Sequence, residues 1–361
     1  MVTDHLCSRP QENCIVVRFS GGQQAGHTVM LNGKKHVHSN YGSGTLRGKP
    51  SYFTEHCSIY PNTIYKEERA FNNHDIEPTL IIHPLAKLTT PFDVAYNRIT
   101  EVKKNHGSCG LGIGATMHRH NSTGYKLFAI DTTNPVLLEQ KLYQIYIYYK
   151  SIVSPEDSQA FEEIAQKELG LFNHALKCIS FQIQDYGVLK RFTNIIFEGS
   201  QGVLLDMDHG IFPNVTYANT TSKNALAICS MLGVIPSMYY VTRCYQTRHG
   251  YGWMSDEKDL SLINSTEEIN TYNGWQKDFR TGEFDYDLIN YSLEIERIYT
   301  GYGVGKNLVV TCLDQRPHFQ FQHRRIKFDF NHYLFSTSPD QKFMIAYSHQ
   351  EMNGFVNGAH V

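Results

Sequence analysis

The sequence predicts an α/β fold in which a mostly parallel central sheet is flanked by helices. Short, uninterrupted apolar runs are typical of strands covered on both faces, and stretches with helical spacing lie between them. Polar, glycine-containing loops follow the strands, where open α/β sheets carry their ligand crevice. The apolar runs are CIVVRF at 14–19, TLIIH at 79–83, NIIFE at 194–198, MYYVT at 238–242 and NLVVT at 307–311.

The predicted helices begin at typical capping residues. Asn134 is placed to cap a long helix, and Pro135 occupies its first position, where a missing N–H costs nothing. A second long helix is predicted over 158–179, and the polar segment 219–222 precedes a third. Because strands and helices alternate without a Pro/Ser linker or an internal repeat, we predict a single domain over residues 1–361.

The composition excludes several classes of protein. The 361 residues are 41% apolar and 19% charged, and the net charge of −2 provides no basic field for a nucleic-acid backbone. No apolar run is long enough to span a membrane and no secretory signal follows Met1, so we expect a soluble, cytoplasmic protein. The eight cysteines form no C-x-x-C pair and the eighteen histidines are scattered, so we expect reduced thiols and no zinc site.

Two glycine-containing loops are candidates for anion binding. In GGQQAGHT, glycines let backbone N–H groups approach an oxyanion, on which His27 and Thr28 can then act. A tight turn with a surface histidine explains that loop equally well. In HGSCGLGIGAT at 106–116, the side chains of Ser108 and Cys109 slightly favour a phosphate cradle over a plain loop.

Three further loops follow predicted strands. Gln201 lies just beyond the run 194–198, and its amide suits a purine edge, while Thr216 follows an extended segment that contains a proline. The segment 241–252 also passes from a strand into polar residues and glycines. Asp314 follows the last apolar run, and its carboxylate can accept both the ring N–H and the exocyclic amine of guanine. A helix cap or a turn aspartate is the alternative for Asp314.

Together these loops resemble those of the adenylosuccinate synthetase family. The family motif G-G-x-N-A-G-H-T corresponds to residues 21–28, and E-G-x-Q-G-x-x-L-D-x-D-x-G-x-x-P-x-V-T corresponds to 198–216. The motif Y-x-T-R-x-G-x-G corresponds to 245–252, L-D to 313–314 and S-T-G-P-D to 336–340. The motifs occur in the family's order over nearly the whole chain.

The resemblance implies a GTP-dependent ligase that joins IMP and aspartate through 6-phosphoryl-IMP, with Mg²⁺ as cofactor, in a homodimer. It implies catalytic roles for His27, which stabilises charge on the phosphoryl group, and for Gln201, and metal binding by the Gly26 carbonyl. The implied substrate-binding residues are Gln24, Ala25, Gly26, Thr28, Ser108, Cys109, Gln201, Thr216, Lys277 and Arg280. The implied nucleotide-binding residues are Gly26, His27, Thr28, Asp314, Ser336, Thr337 and Ser338.

The chain departs from the family pattern at several positions. Gln24 replaces an asparagine, Ser108-Cys109 replaces a Thr-Thr pair that grips the IMP phosphate, and the arginine-rich aspartate loop is reduced to Lys277 and Arg280. The family's first strand and its G-D-E-G-K-G-K loop, which supplies the general-base aspartate, have no counterpart in this sequence. We therefore expect that residues 1–361 alone do not catalyse ligation. The strand 14–19 is too apolar for an exposed edge and should have a strand neighbour, and without the family's first strand we expect central ladder N–H and C=O groups to lose partners.

Two alternatives stay open. One is a non-catalytic, nucleotide-binding relative. The other is a phage-type ligase that acts on another purine monophosphate such as dGMP, which the altered pair Ser108-Cys109 leaves possible. A Rossmann dehydrogenase is disfavoured, because no G-x-G-x-x-G opens a helix after the first strand with an acidic residue downstream.

Overall fold

The computed structural model describes residues 1–8, 13–104, 107–263, 274–275, 277–301 and 303–354. The helices are α1 (Val2–Leu6), α2 (Pro61–Phe71), α3 (Pro91–Lys104), α4 (Ile113–Ser122), α5 (Pro135–Ile152), α6 (Ser158–Cys178), α7 (Lys223–Leu232), α8 (Tyr286–Thr300) and α9 (His349–Asn353). The strands are β1 (Cys14–Arg18), β2 (His27–Leu31), β3 (Lys34–His38), β4 (Ser51–Phe53), β5 (Ser58–Ile59), β6 (Leu80–Ile82), β7 (Lys87–Leu88), β8 (Gln182–Ile183), β9 (Asn194–Glu198), β10 (Ser237–Arg243), β11 (Gln246–His249), β12 (Phe279–Gly282), β13 (Gly305–Thr311), β14 (His332–Ser336) and β15 (Met344–Ser348).

The chain forms two compact units. The first unit comprises Met1–Gly210 and Val215–Thr220, and the second comprises Ile211–Asn214 and Thr221–Val361. In the described part of the first unit, a parallel sheet has the strand order β8-β6-β4-β1-β9. In that of the second, the order is β10-β13-β14-β15, and only β15 runs antiparallel to its neighbour. The predicted α/β class with mostly parallel sheets is confirmed, and the single domain stays a prediction.

The predicted strands and helices form largely where the sequence placed them. The Asn134 side chain accepts a hydrogen bond from the Leu137 N–H at 3.1 Å, which caps α5 as predicted. Ser222 precedes α7, but its hydroxyl donates to Glu296 and no side-chain capping bond forms. Within the described ranges, no helix is both long enough and apolar enough to cross a membrane.

Strand β1 is a central strand with a neighbour on each side. All of its residues are buried, and it pairs in parallel with β4 and with β9. The expected strand neighbour is present, and the expectation that the ladder groups here lose partners for want of a preceding strand is wrong. The apolar run correctly indicated a central strand, but its partners come from Ser51–Phe53 and Asn194–Glu198, further along the same chain. Parallel pairing brings the loops after β1, β4 and β9 to the same edge of the sheet.

In the second unit, β13 and β14 are neighbouring parallel strands, so the loops that follow them also lie at one edge of a sheet. Val310 lies opposite Phe335 in the parallel register, and both side chains are fully buried in the core of this unit. The residues that follow the two strands therefore reach one edge of the second sheet, where the sequence places Asp314 and Ser336.

Candidate active site

The glycines of the loop after β1 allow neighbouring loops to approach closely. Gly21 has φ +71°, and a Cβ atom there would lie 2.6 Å from Ser200 Oγ. A Cβ atom on Gly22 would lie 2.3 Å from Ser58 Oγ. The Ser58 N–H donates to the Gly21 carbonyl at 2.9 Å, and the Ser20 and Ser200 hydroxyls are 3.0 Å apart. A side chain at either glycine would separate these segments, so the glycines fix the geometry of the site.

His27, at the start of β2, pairs with Glu198, at the end of β9. The distance from His27 Nδ1 to Glu198 Oε1 is 3.1 Å, and the two side chains are 23% and 6% exposed. The other carboxylate oxygen accepts the Ser43 N–H at 3.1 Å and lies 4.0 Å from the Arg18 guanidinium. Burial alone would raise the pKa of Glu198, but His27, Arg18 and Ser43 together hold it well below its ordinary value. The ionised carboxylate thus orients the imidazole through Nδ1 and leaves Nε2 for a ligand.

Arg18 is a buried cation whose hydrogen-bond donors find no acceptor among the described residues. Its side chain is fully buried, and none of its three guanidinium nitrogens has a hydrogen-bond partner among the described residues. The guanidinium lies 6.0 Å from the centroid of the Phe53 ring. Sequence reasoning missed both Arg18 and Glu198 as site residues. The available signal was a charged residue at the end of each of two apolar strands.

Two glutamines connect the predicted loops. Gln24 Nε2 lies 3.5 Å from Gln201 Oε1, which brings two of the predicted substrate-binding residues together. Gln23 Nε2 donates to the Leu111 carbonyl at 3.0 Å and links this loop to the segment after α3. The Oε1 atoms of Gln23 and Gln24 are buried and find no partner in the described part of the chain. These unfilled acceptors, of which Gln24 Oε1 belongs to the side chain next to Gln201, suit a ligand that donates hydrogen bonds. Nearby, Ala25 is buried, whereas Gly26 is exposed and Thr28 is half-buried in β2.

Ser108 and Cys109 lie in the segment between α3 and α4. Glu101 Oε1 accepts the N–H groups of Gly107 at 2.5 Å and of Ser108 at 3.2 Å. Ser108 Oγ accepts from Asn97 Nδ2 at 3.0 Å, and burial raises the pKa of Cys109 to about 11. A carboxylate thus occupies two backbone N–H donors of this loop, and Cys109 is a neutral thiol at pH 7. The phosphate cradle stays a prediction.

The loop after β9 is stabilised by a buried carboxylate. Asp206 accepts the Asp208 N–H at 2.8 Å and the Thr220 N–H at 2.6 Å. Thr216 is half-buried, and its N–H donates to the Leu205 carbonyl at 2.8 Å. Asp206 thus has a structural role, and the predicted role of Thr216 in substrate binding stays a prediction.

In the second unit, the predicted guanine-binding residues follow two adjacent strands. Asp314 is half-buried in the short helical turn Leu313–Gln315 after β13, and Ser336 ends β14. Ser336 Oγ donates to the Ser338 carbonyl at 2.8 Å, and Thr337 Oγ1 lies 3.4 Å from the Phe343 carbonyl. The structure therefore places these four predicted residues at one sheet edge.

The two predicted aspartate-binding residues already have partners within the second unit. Arg280 pairs with the carboxylate of Glu257 and donates to the carbonyls of Gly250 and Gly252, each at 2.8 Å. Lys277 donates to a nearby backbone carbonyl at 3.0 Å. Aspartate would have to compete with Glu257 for Arg280, and both roles stay predictions.

The magnesium site implied at Gly26 is not supplied by the protein alone. Magnesium is usually bound by one or two carboxylates together with substrate phosphates. The carboxylate beside this loop, Glu198, is engaged by His27 and Ser43. The residues present do not fit a complete magnesium site here.

Polar side chains gathered at the carboxyl ends of parallel strands define an α/β ligand-binding protein. The family model described as adenylosuccinate synthetase matches residues 1–319, and the chain belongs to this family. The adenylosuccinate synthetase of Rhodococcus opacus (strain B4) is 29% identical over 323 residues, which cover 84% of this chain and 73% of the relative. The adenylosuccinate synthetase of Buchnera aphidicola subsp. Schizaphis graminum is 31% identical over 317 residues, which cover 82% of this chain and 71% of the relative.

Two solved structures share the fold. Fully ligated adenylosuccinate synthetase from Plasmodium falciparum aligns with a TM-score of 0.73 at 17% identity and covers 96% of each chain. Succinoaminodeoxyadenylate synthetase of cyanophage S-2L, bound to dGMP and to dATP as an energy donor, aligns with a TM-score of 0.63 at 15% identity. The alignment covers 98% of this chain and 93% of the phage protein. At these identities the likeness supports the fold alone.

Proposed function

We propose that this protein is a GTP-dependent ligase that joins IMP and aspartate to form adenylosuccinate through 6-phosphoryl-IMP. Family membership gives the class of reaction. The observation that carries the proposal is the pair of His27 and Glu198, 3.1 Å apart, at the sheet edge where Gln24 and Gln201 also meet.

In the proposed reaction, His27 acts on the phosphoryl group during its transfer to the IMP oxygen. Glu198 accepts the Nδ1–H and stabilises the positive charge of the doubly protonated ring, from which Nε2–H donates a hydrogen bond to a phosphoryl oxygen. A donor held in place before the reaction stabilises developing charge without reorganisation. Gln24, Gln201 and Thr216 bind IMP in the first unit, since amide and hydroxyl groups match the donors and acceptors of a purine.

In the second unit, Asp314 binds guanine, with Ser336 to Ser338 beside the base. Lys277 and Arg280 bind the aspartate carboxylates, for which Arg280 exchanges its contact with Glu257. Magnesium as cofactor, with Gly26 as a ligand, stays an expectation from the family, and no step of the proposed reaction depends on it. The homodimer and the cytoplasmic location belong to the proposal.

Binding is the first test, because it does not require the family's general base. Calorimetric titration of the wild-type chain should show that IMP binds more tightly than dGMP and GTP more tightly than ATP. Asp314→Asn should weaken GTP binding by about 1–3 kcal/mol, as for a lost hydrogen bond to a charged group, and leave IMP binding unchanged. An unchanged preference for GTP would remove Asp314 from the site.

The same titration distinguishes the proposed IMP ligase from the second candidate function, a ligase that acts on dGMP. Ser108-Cys109 in place of the family's Thr-Thr pair, with Glu101 on the adjacent N–H groups, leaves this candidate open. Tighter binding of dGMP than of IMP would favour it. Nucleotide binding without ligation, even after the G-D-E-G-K-G-K segment is added, would favour a non-catalytic relative.

A further inference from the structure

Two histidines and a glutamate meet in the interior of the first unit. His36 and His38 are two positions apart on β3, so their side chains lie on the same face of the strand. Helix α2 brings Glu67 to this face. The three residues are only 6%, 0% and 7% exposed. A ring nitrogen of each histidine and a carboxylate oxygen of Glu67 all lie within 4.8 Å of one another.

The ring nitrogens that face this cluster have no partner. His36 Nε2 and both ring nitrogens of His38 are buried without a hydrogen bond to any described residue. Their distances to Glu67 Oε1 are 3.6 Å for His36 and 3.9 Å for His38, which are too long for hydrogen bonds. Buried polar atoms are nearly always satisfied in folded proteins, so the cluster is incomplete as it stands.

The two oxygens of Glu67 are used differently. Oε2 accepts short bonds from the Asn40 N–H at 2.6 Å and from Asn40 Nδ2 at 2.8 Å. Oε1 receives only longer contacts, from the Ser39 N–H at 3.2 Å and the Tyr41 N–H at 3.3 Å. The Ser39 N–H lies equally close to Oε2, at 3.2 Å. The oxygen that faces both histidines therefore holds only the weaker hydrogen bonds, while the short bonds to Oε2 fix the orientation of the carboxylate.

We propose that His36, His38 and Glu67 form a binding site for one divalent transition-metal ion of the zinc type. Two imidazoles and a carboxylate are a ligand set that suits zinc and its neighbours, whereas magnesium and calcium prefer oxygen ligands alone. Three protein ligands leave a further position for water or another side chain.

The surroundings of the cluster match such a site. The Phe71 ring stacks on His36 with the centroids 4.3 Å apart, which provides an apolar wall. The half-buried His74 ring lies 5.4 Å from that of His36 and is a further imidazole near the cluster. His38 pairs with His27 across the β2–β3 hairpin, so a bound ion would tie the strand of His27 to α2. The site is separate from the magnesium implied at Gly26, and it does not depend on the proposed ligase activity.

The test uses the full chain, stripped of metal with a chelator and then titrated with Zn²⁺ in a calorimeter. We expect one Zn²⁺ per chain and a higher melting temperature with Zn²⁺ than without it. His36→Gln and His38→Gln should each weaken binding by at least about tenfold, since even changes outside the ligand shell have that effect. The matched control is His118→Gln, which removes an exposed histidine from α4 and should bind Zn²⁺ as the wild type does.

Several outcomes would overturn the proposal. The wild type could bind no Zn²⁺ and show no shift in melting temperature, or the His118→Gln variant could lose binding to the same extent as His36→Gln. A higher melting temperature of metal-free His36→Gln, together with a wild type that does not bind Zn²⁺, would show that the cluster is only a strained histidine–carboxylate contact. If one glutamine variant fails to fold, the other variant and the wild-type titration still decide the question.

Discussion

Arg18 and Arg119 are both fully buried in the first unit, but their surroundings differ. Arg119 makes a bidentate pair with Asp93, with both N–O distances at 2.8 Å, and donates further bonds to the carbonyls of Leu88 and Tyr125. Arg18 makes no hydrogen bond to a described residue, and one of its guanidinium nitrogens lies 4.0 Å from the Glu198 carboxylate.

The difference distinguishes Arg119, a buried charge with a structural role, from Arg18, a buried charge at the sheet edge where the candidate site lies. The Asp93 carboxylate also accepts the Tyr149 hydroxyl at 2.6 Å, so the network around Arg119 is satisfied from within the fold. Arg18 stands at the end of a central strand, next to the pair formed by His27 and Glu198. Folding alone gains little from an unsatisfied guanidinium, which suits a site that a bound anion completes.

The largest expected effect is on stability, from breaking the satisfied network. Arg119→Met should lower the free energy of unfolding by about 3–5 kcal/mol, because it leaves the Asp93 carboxylate buried without its cation. Urea denaturation of the variant and the wild type measures this. If Arg119→Met lowered the free energy of unfolding by less than Arg18→Met does, Arg119 would not be the more important structural charge.

The second largest effect is expected on turnover, from a change in the cluster of Arg18, His27 and Glu198. His27→Asn should lower turnover by about 10²–10³-fold, as for loss of an electrostatic stabiliser, and should lower the urea midpoint less than Arg119→Met does, because Glu198 keeps its contacts with Ser43 and Arg18. Turnover is measured with saturating IMP, aspartate and GTP, in a chain carrying the G-D-E-G-K-G-K segment if the chain alone shows none. Tyr149→Phe is the control, which should lower stability and leave turnover unchanged. Equal turnover of His27→Asn and wild type would show that the histidine is structural.

Acid pH gives a third test of the satisfied network. Burial alone would raise the pKa of Asp93, but the Arg119 ion pair and the hydrogen bonds from Tyr149 and Thr90 outweigh it and lower that pKa. Because the folded pKa is below the unfolded one of about 3.9, the stabilisation is complete above that value and is lost as the pH falls through the folded pKa. Urea denaturation between pH 5 and pH 3 should show a steeper acid loss for wild type than for Asp93→Asn. Parallel curves would mean that this carboxylate does not contribute to the acid sensitivity.

The smallest effect is expected at Arg18. Arg18→Met should change the free energy of unfolding by less than about 1 kcal/mol, because no hydrogen bond is lost and Glu198 keeps its contacts with His27 and Ser43. IMP and GTP titrations of the same variant should show weaker binding of at least one nucleotide. A stability loss equal to that of Arg119→Met would show that Arg18 is a structural charge as well.

Much of the local structure could be predicted from the sequence. The run Cys14–Arg18 forms a central strand because its side chains suit burial on both faces, and Asn134 caps α5 because its amide oxygen reaches an open N–H. The motif that begins at Glu198 identified the family, yet the pairing of Glu198 with His27 was not predicted. That contact joins two strand ends far apart in the sequence, and neither local propensity nor hydrophobic spacing reports such a distance.

The sequence by itself determined the periodic elements, the order of the loops and the family, since these depend on residue type and spacing along the chain. Only the tertiary structure decided which charges are satisfied. Nothing near Arg18 or Arg119 in the sequence shows that one gains a bidentate carboxylate and the other none, because the parallel sheet and its crossover helices determine the partners. The same holds for His36 and His38, whose spacing on β3 becomes a possible ligand set only when α2 brings Glu67 to them.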